Sequence, residues 1–163
     1  MGQSEPLTGE IESVYRRRYR QFLRVAAAIL GDEATAHDAV QEGFAQALRE
    51  QSSFRSEGPL EAWVWRMVVN ASLAARRRRV ARQEESDVVE IATTNGHAAD
   101  ESGVRAWISA LPERQRLTVY LRYYADLDYR AIADALNVEV GTVSATLNSA
   151  HQALRKSLQE VER

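Results

Sequence analysis

The stretch from Tyr129 to Leu147 constrains this chain more than any other. Ile132, Ala133 and Leu136 fall at helical spacing and give a first short helix an apolar face. Val143, Leu147, Ala150, Leu154 and Leu158 recur at three- and four-residue steps, the stripe of a second, amphipathic helix. Ala133 is small enough to let the two helices approach. Asn137 falls where the chain must bend, and asparagine tolerates left-handed backbone better than most non-glycine residues. Val138 and Val143 can fill the angle between the helices. This is the layout of a helix-turn-helix, whose second helix enters the major groove of DNA. The same residues also fit a plain helical hairpin packed in a core, so DNA binding needs support from elsewhere in the chain.

Composition narrows the remaining classes. At 163 residues the chain holds one domain or two small ones, and a 45% apolar content is enough to build cores. Without cysteine there is neither a disulfide framework nor a thiolate metal site. His37, His97 and His151 share no ligand spacing, so no metal and no cofactor is expected. No apolar run approaches the ~20 residues of a membrane span, and the first residues lack a signal-peptide pattern. A cytoplasmic protein with no membrane insertion is the expectation. The net charge of −2 hides a partition. Residues 1–83 carry thirteen arginines and ten acids, residues 84–104 six acids and no basic residue, and residues 105–163 eight basic and seven acidic residues.

Every segment with a clear period reads as helix. Residues 1–9 are expected to form a loose tail. A helix starts at Ile11, with Ile11, Tyr15, Tyr19, Phe22, Val25, Ala26 and Ile29 on one side and Arg16, Arg17, Arg20 and Arg24 largely on the other. Those arginines suit a solvated face or a contact with acidic protein or nucleic acid. Gly31 stops this helix and Asp32 can cap the next, whose stripe is Ala36, Ala39, Val40, Phe44, Ala47 and Leu48. Asp38, Gln41 and Glu42 stand off that stripe. Paired carboxylates can do acid/base work, but no nucleophile or histidine partner accompanies them, so an enzyme is not expected.

Residues 51–58 read as a loop with one aromatic, Phe54, that either tucks onto the core or offers a stacking face. Pro59 opens a third helix. Leu60, Trp63, Val64, Met67, Val68 and Ala71 are expected on its buried side, and Trp65, Val69 and Asn70 toward its flank. It runs into Arg76–Arg79, with Arg82 beyond. Aromatics beside a basic run supply the rings and cations that a single DNA strand needs. A tryptophan core followed by arginines favoured at a helix C-terminus fits equally well. Gln83 to Gly103 reads as a linker. Val104, Trp107, Ile108 and Leu111 begin a second unit. Pro112 starts a further helix with Leu117, Tyr120, Leu121 and Tyr124 inward, and Asp128 can cap the helix that follows.

In this order the pieces resemble a bacterial RNA polymerase sigma factor of the extracytoplasmic-function (ECF) type. The matching pieces are Val14–Arg20, Asp38–Phe44, Ala62–Met67 with Asn70 and the Arg76 run, Leu111–Arg116, Tyr129–Ala133 and Val140–Val143. Together they span almost the whole chain, from Val14 to Leu158. The resemblance implies an all-α fold of two small helical domains, 10–83 and 104–160, joined by an acidic flexible linker, 84–103. It implies promoter-specific transcription initiation, with core RNA polymerase and promoter DNA as partners and either an anti-sigma factor or tail-based control as the silencer. Arg17, Asp38, Gln41 and Glu42 would bind the β′ clamp helices, and Arg114 and Arg122 the β flap. Ser53, Phe54, Arg55, Trp63, Arg66, Asn70, Arg76 and Arg77 would hold the −10 element, with one base flipped out. Arg130, Thr142, Ser144, Ala145, Asn148 and Arg155 would read the −35 element.

Three departures from the family pattern stand out. No separate short helix precedes the basic first helix. Ala74 replaces a common acid. The second helix of the helix-turn-helix is nearly uncharged, offering Ser144, Thr146, Asn148, Ser149 and His151 until Arg155 and Lys156. Fewer phosphate contacts weaken DNA binding and flatten its salt dependence. That leaves two alternatives: a sigma-like modulator with weak or altered −35 reading, and a helical protein–protein adaptor.

Overall fold

The computed structural model describes residues 4–85 and 102–162. Within them there are seven α-helices, one 3-10 turn and no strand. The first unit is α1 (Ser4–Leu30), α2 (Glu33–Arg49), the 3-10 turn Gln51–Ser53 and α3 (Leu60–Glu85). The second is α4 (Ser102–Ala110), α5 (Glu113–Tyr123), α6 (Tyr129–Leu136) and α7 (Val140–Val161). Residues 86–101, most of the expected linker, lie outside the described residues; its ends belong to α3 and α4.

The first three helices pack around aromatics. The rings of Phe22 and Trp65 lie 4.2 Å apart, and Phe44 meets Phe22 edge-on at 5.1 Å. α2 comes so close to α3 that a Cβ on Gly43 would sit 2.7 Å from the Cα of Val68. Only glycine allows that approach without moving a helix backbone.

Local sequence accounts for the ends of the helices. Gly31 (φ 84°) turns the chain after α1. Asp32 then caps α2, accepting the Thr35 amide at 2.8 Å and its hydroxyl at 2.7 Å. Arg79 of α3 closes the same corner, donating to the Leu30 carbonyl at 2.5 Å and to Asp32 at 2.7 Å. The Thr35 donors and Arg79 hold the Asp32 carboxyl below its ordinary 3.8, with burial opposing them. A depressed folded value means that the unfolded chain takes up the proton first. The stabilisation is therefore complete above the ordinary aspartate range and fades as pH falls through the folded value. Urea unfolding followed from neutral pH into that acid range should show the loss. It should be smaller in Asp32→Asn, which keeps a capping side chain without the charge.

Asp128 caps α6 through the Ala131 amide at 2.8 Å. Asn137 ends that helix in the left-handed region (φ 54°, ψ 52°). The Asn137 amide donates to the Asp134 carbonyl at 3.3 Å and the Val138 amide to the Ala133 carbonyl at 3.0 Å. This pair of bonds is a Schellman closure, and it sets the angle at which α7 leaves. Val143, Leu147 and Ala150 of α7 are buried under α5 and α6.

Several expectations need correction. Residues 4–9 are not a tail: they are the first turns of α1, which therefore begins before Ile11. The Thr8 hydroxyl donates to the Gln51 side chain at 2.9 Å, tying that end to the 3-10 turn. Pro59 stands just before α3, and its carbonyl accepts the Trp63 amide at 3.3 Å. Trp65 and Val69 are fully buried and Trp63 only partly, the reverse of the expected faces. Leu48, Val104 and Leu158 extend their stripes past the core and are exposed. The two units dock: α6 lies on α3, α5 meets α1, and one continuous apolar cluster runs through both.

Candidate nucleic-acid and polymerase interfaces

α2 presents Asp38, Gln41 and Glu42 on its exposed side, opposite the buried Ala36, Val40 and Phe44. Glu42 accepts from Arg49 at 3.0 Å, an exposed pair that leaves the patch acidic and polar. Arg17 does not join this group through any ion pair. It reaches Glu61 at the start of α3 at 3.4 Å, where Arg18 also binds at 2.7 Å.

The loop before α3 and the exposed side of α3 form a second surface. The 3-10 turn is held by the Ser53 amide and hydroxyl, both donating to the Glu50 carbonyl at 2.8 and 2.7 Å. Phe54 follows it, half-buried, its ring 5.5 Å from that of Trp63 and tilted by 52°. Arg55, Arg66 and Asn70 are exposed beside the pair. Ser53, Phe54, Arg55, Trp63 and Arg66 line one wall of a hollow of about 340 Å³, and Asp128, Arg130 and Asp134 of the second unit line the other. The arginine run beyond is not uniform. Arg77 and Arg78 point outward, Arg79 is the corner tie, and Arg76 forms an ion pair with Glu113 at the start of α5.

α7 carries the third surface. Ser144, Ala145, Asn148 and Arg155 are exposed along its outer side and Thr142 is partly covered, whereas Arg130, expected with them, lies on the wall of the hollow that faces α3. The Tyr123 hydroxyl and His151 Nε2 lie 2.8 Å apart. That contact anchors α7 to the end of α5, and nothing in the sequence spacing pointed to it. On α5, Arg114 is exposed. Arg122 is half-buried, directed at the Leu127 carbonyl (3.4 Å) and Asp126 (3.8 Å). The described residues contain no cluster of three or more acidic or histidine side chains that could hold a metal, and no helix long and apolar enough to cross a membrane.

A helix-turn-helix with an open second helix, set beside a helical unit bearing aromatics and arginines, defines a two-part DNA-binding protein of transcription. Comparison with known proteins agrees. Residues 14–82 match the family "Sigma-70 region 2" and residues 107–156 "Sigma-70, region 4". The chain is 30% identical to the ECF RNA polymerase sigma factor SigM of Mycobacterium tuberculosis, over 90% of this chain and 76% of that protein. It is 29% identical to the RNA polymerase sigma-H factor of Pseudomonas aeruginosa, over 94% of each. Its fold is similar to the sigma factor RpoE of Bartonella quintana, solved in complex with the anti-sigma factor NepR. There the TM-score is 0.74 at 20% identity, covering 92% of this chain and 97% of that one. The chain belongs to the ECF-type RNA polymerase sigma factors, and its function is in transcription initiation.

Proposed function

We propose that residues 10–83 form the part that binds core polymerase and holds the melted −10 strand, and residues 104–160 the part that reads the −35 element. The observation that carries this reading is the Phe54–Trp63 ring pair flanked by exposed Arg66 and Asn70. Two stacking faces, two cations counting Arg55, and an amide meet at one edge of a rigid helix, a combination suited to a base leaving its stack. Arg77 continues that surface toward the strand backbone. Asp38, Gln41 and Glu42 offer acceptors to basic groups on the β′ clamp helices, with Arg17 on the adjoining helix. Arg114 and Arg122 face the β flap. Thr142, Ser144, Ala145 and Asn148 meet base edges in the −35 major groove, with Arg130 and Arg155 on phosphates. The protein is a cytoplasmic specificity subunit, with no catalytic group of its own, and an anti-sigma factor is its silencer.

Run-off transcription with purified core polymerase and a library of promoter fragments tests this. Initiation should occur at a defined subset and fall sharply in Asn70→Ala. Core binding without initiation at any fragment would sink the reading in favour of a modulator. One feature favours that second reading: the exposed side of α7 carries no charge before Arg155, so −35 affinity depends on polar base contacts and on tethering by polymerase.

A further inference from the structure

A second hollow, of about 640 Å³, opens where α1 meets α5 and shares only Arg17 with the surfaces assigned above. Arg16, Arg17, Arg20 and Arg24 of α1 form one wall, and Tyr123 and Tyr124 at the end of α5 the other. None of the described carboxylates lines it, whereas Glu57, Asp128 and Asp134 line the hollow beside α6. Like charges four residues apart on a helix repel, and Arg16, Arg20 and Arg24 form such a series. Acids only partly offset this. Arg16 meets Glu12 in an ion pair whose side chains are 77% and 57% exposed. Arg17 reaches Glu61 at 3.4 Å, but Arg18 binds the same carboxylate at 2.7 Å, so Arg17 can leave without stranding it. Arg20 is exposed and has no hydrogen-bond or ion-pair partner among the described residues. Arg24 lies 5.7 Å from the Tyr124 ring centroid. Tyr123 stays 59% exposed although it contacts Arg122 and His151.

We propose that this hollow is a binding site for a nucleoside polyphosphate, with the phosphate chain along the arginines of α1 and the base against Tyr123. Guanidinium forks pair bidentately with phosphate oxygens, and such charge-assisted bonds are stronger than neutral ones. From Arg16 to Arg24 the helix axis advances about 12 Å at 1.5 Å per residue, a length that suits two or more phosphates better than one. An exposed ion pair such as Arg16–Glu12 is worth little, so a polyanion displaces Glu12 readily. A tyrosine ring gives a base a stacking face without reading its edge. Walls on both sides, and a volume within the roughly 300–1,000 Å³ of small-molecule sites, favour a free nucleotide over a long strand.

Fluorescence polarisation of ATP labelled on its ribose, titrated with the full chain, tests the site. Binding should saturate at one nucleotide per chain. Unlabelled ATP and GTP should compete alike, and AMP about tenfold more weakly or worse, because it lacks the phosphates that reach further arginines. Arg20→Ala should weaken binding by about tenfold, the scale of one charge-assisted hydrogen bond. Tyr123→Ala should weaken it about fivefold or more by removing the stacking face. Tyr123→Phe also loses the bond to His151 but should keep nucleotide binding. Lys156→Ala removes an exposed cation on α7, outside the hollow, and should change nothing. All these side chains are exposed, and helical circular dichroism checks that each variant stays folded. No saturable binding overturns the proposal. So does a loss in Lys156→Ala equal to that in Arg20→Ala, which would mean attraction to basic charge in general. Inorganic tripolyphosphate competing as well as ATP, or a short single strand of DNA competing better, would also overturn it, by assigning the hollow to phosphate chains or to nucleic acid. Binding is read on the protein alone, so the result stands whether or not run-off transcription supports the sigma roles.

Discussion

Trp63→Ala should lower run-off initiation by roughly five- to a hundredfold, the effect of losing one stacked base worth about 1–3 kcal/mol. Core polymerase binding should not change, because the residues proposed to make it, Asp38, Gln41 and Glu42, lie on the exposed side of α2 and not on α3. Trp63 is only partly buried and its ring packs on Phe54, so the melting temperature should move little. Trp63→Phe keeps an aromatic face and should recover much of the activity. Parallel loss of core binding and initiation would show instead that the ring supports the fold.

Two residues further on, the same side chain has the opposite role. Trp65 is fully buried against Phe22, and Trp65→Ala should destabilise the protein by about 3–5 kcal/mol, as other large-to-small core changes do. For a chain of this size each kcal/mol lowers the melting temperature by about 2–4 °C, so a drop on the order of 10 °C or more is expected in thermal circular dichroism. Trp65→Phe should cost much less than its lost volume suggests. The indole Nε1 of Trp65 is buried with no hydrogen-bond partner among the described residues. An unpaired buried N–H carries a penalty of about 1–3 kcal/mol, which phenylalanine removes. A Trp65→Phe variant as unstable as Trp65→Ala would mean that this N–H is satisfied in solution.

The pair also shows where sequence reasoning stops. Trp63 and Trp65 differ by 200° around a helix, and both sit among apolar neighbours. Periodicity alone placed Trp63 inward, because Leu60, Val64 and Met67 lie on its side. Met67 is indeed buried, but α3 is covered on a further side as well, where Ala62 and Arg66 face α6 across the hollow and Arg76 reaches Glu113. A helix with two covered sides has no single stripe to read. The helix-turn-helix was legible for the converse reason: its cap, its bend residue and its plug are local, and Asp128, Asn137 and Val143 occupy those places. Arg79 bonding Asp32 across 47 residues left no local trace, and neither did Arg76 choosing Glu113. Both look in sequence like members of one basic run.

That division of the run sets an ion stoichiometry. A cation seated on a single-strand phosphate contributes about 0.7 to the slope of log affinity against log salt, so four arginines acting alike would give a slope of about −2.8. With Arg79 tied to the corner and Arg76 to Glu113, Arg77 and Arg78 alone would give about −1.4. Releasing Arg76 would steepen the slope by about 0.7. The number of counterions expelled on strand binding is thus a gauge of how far the two halves of the molecule have come apart.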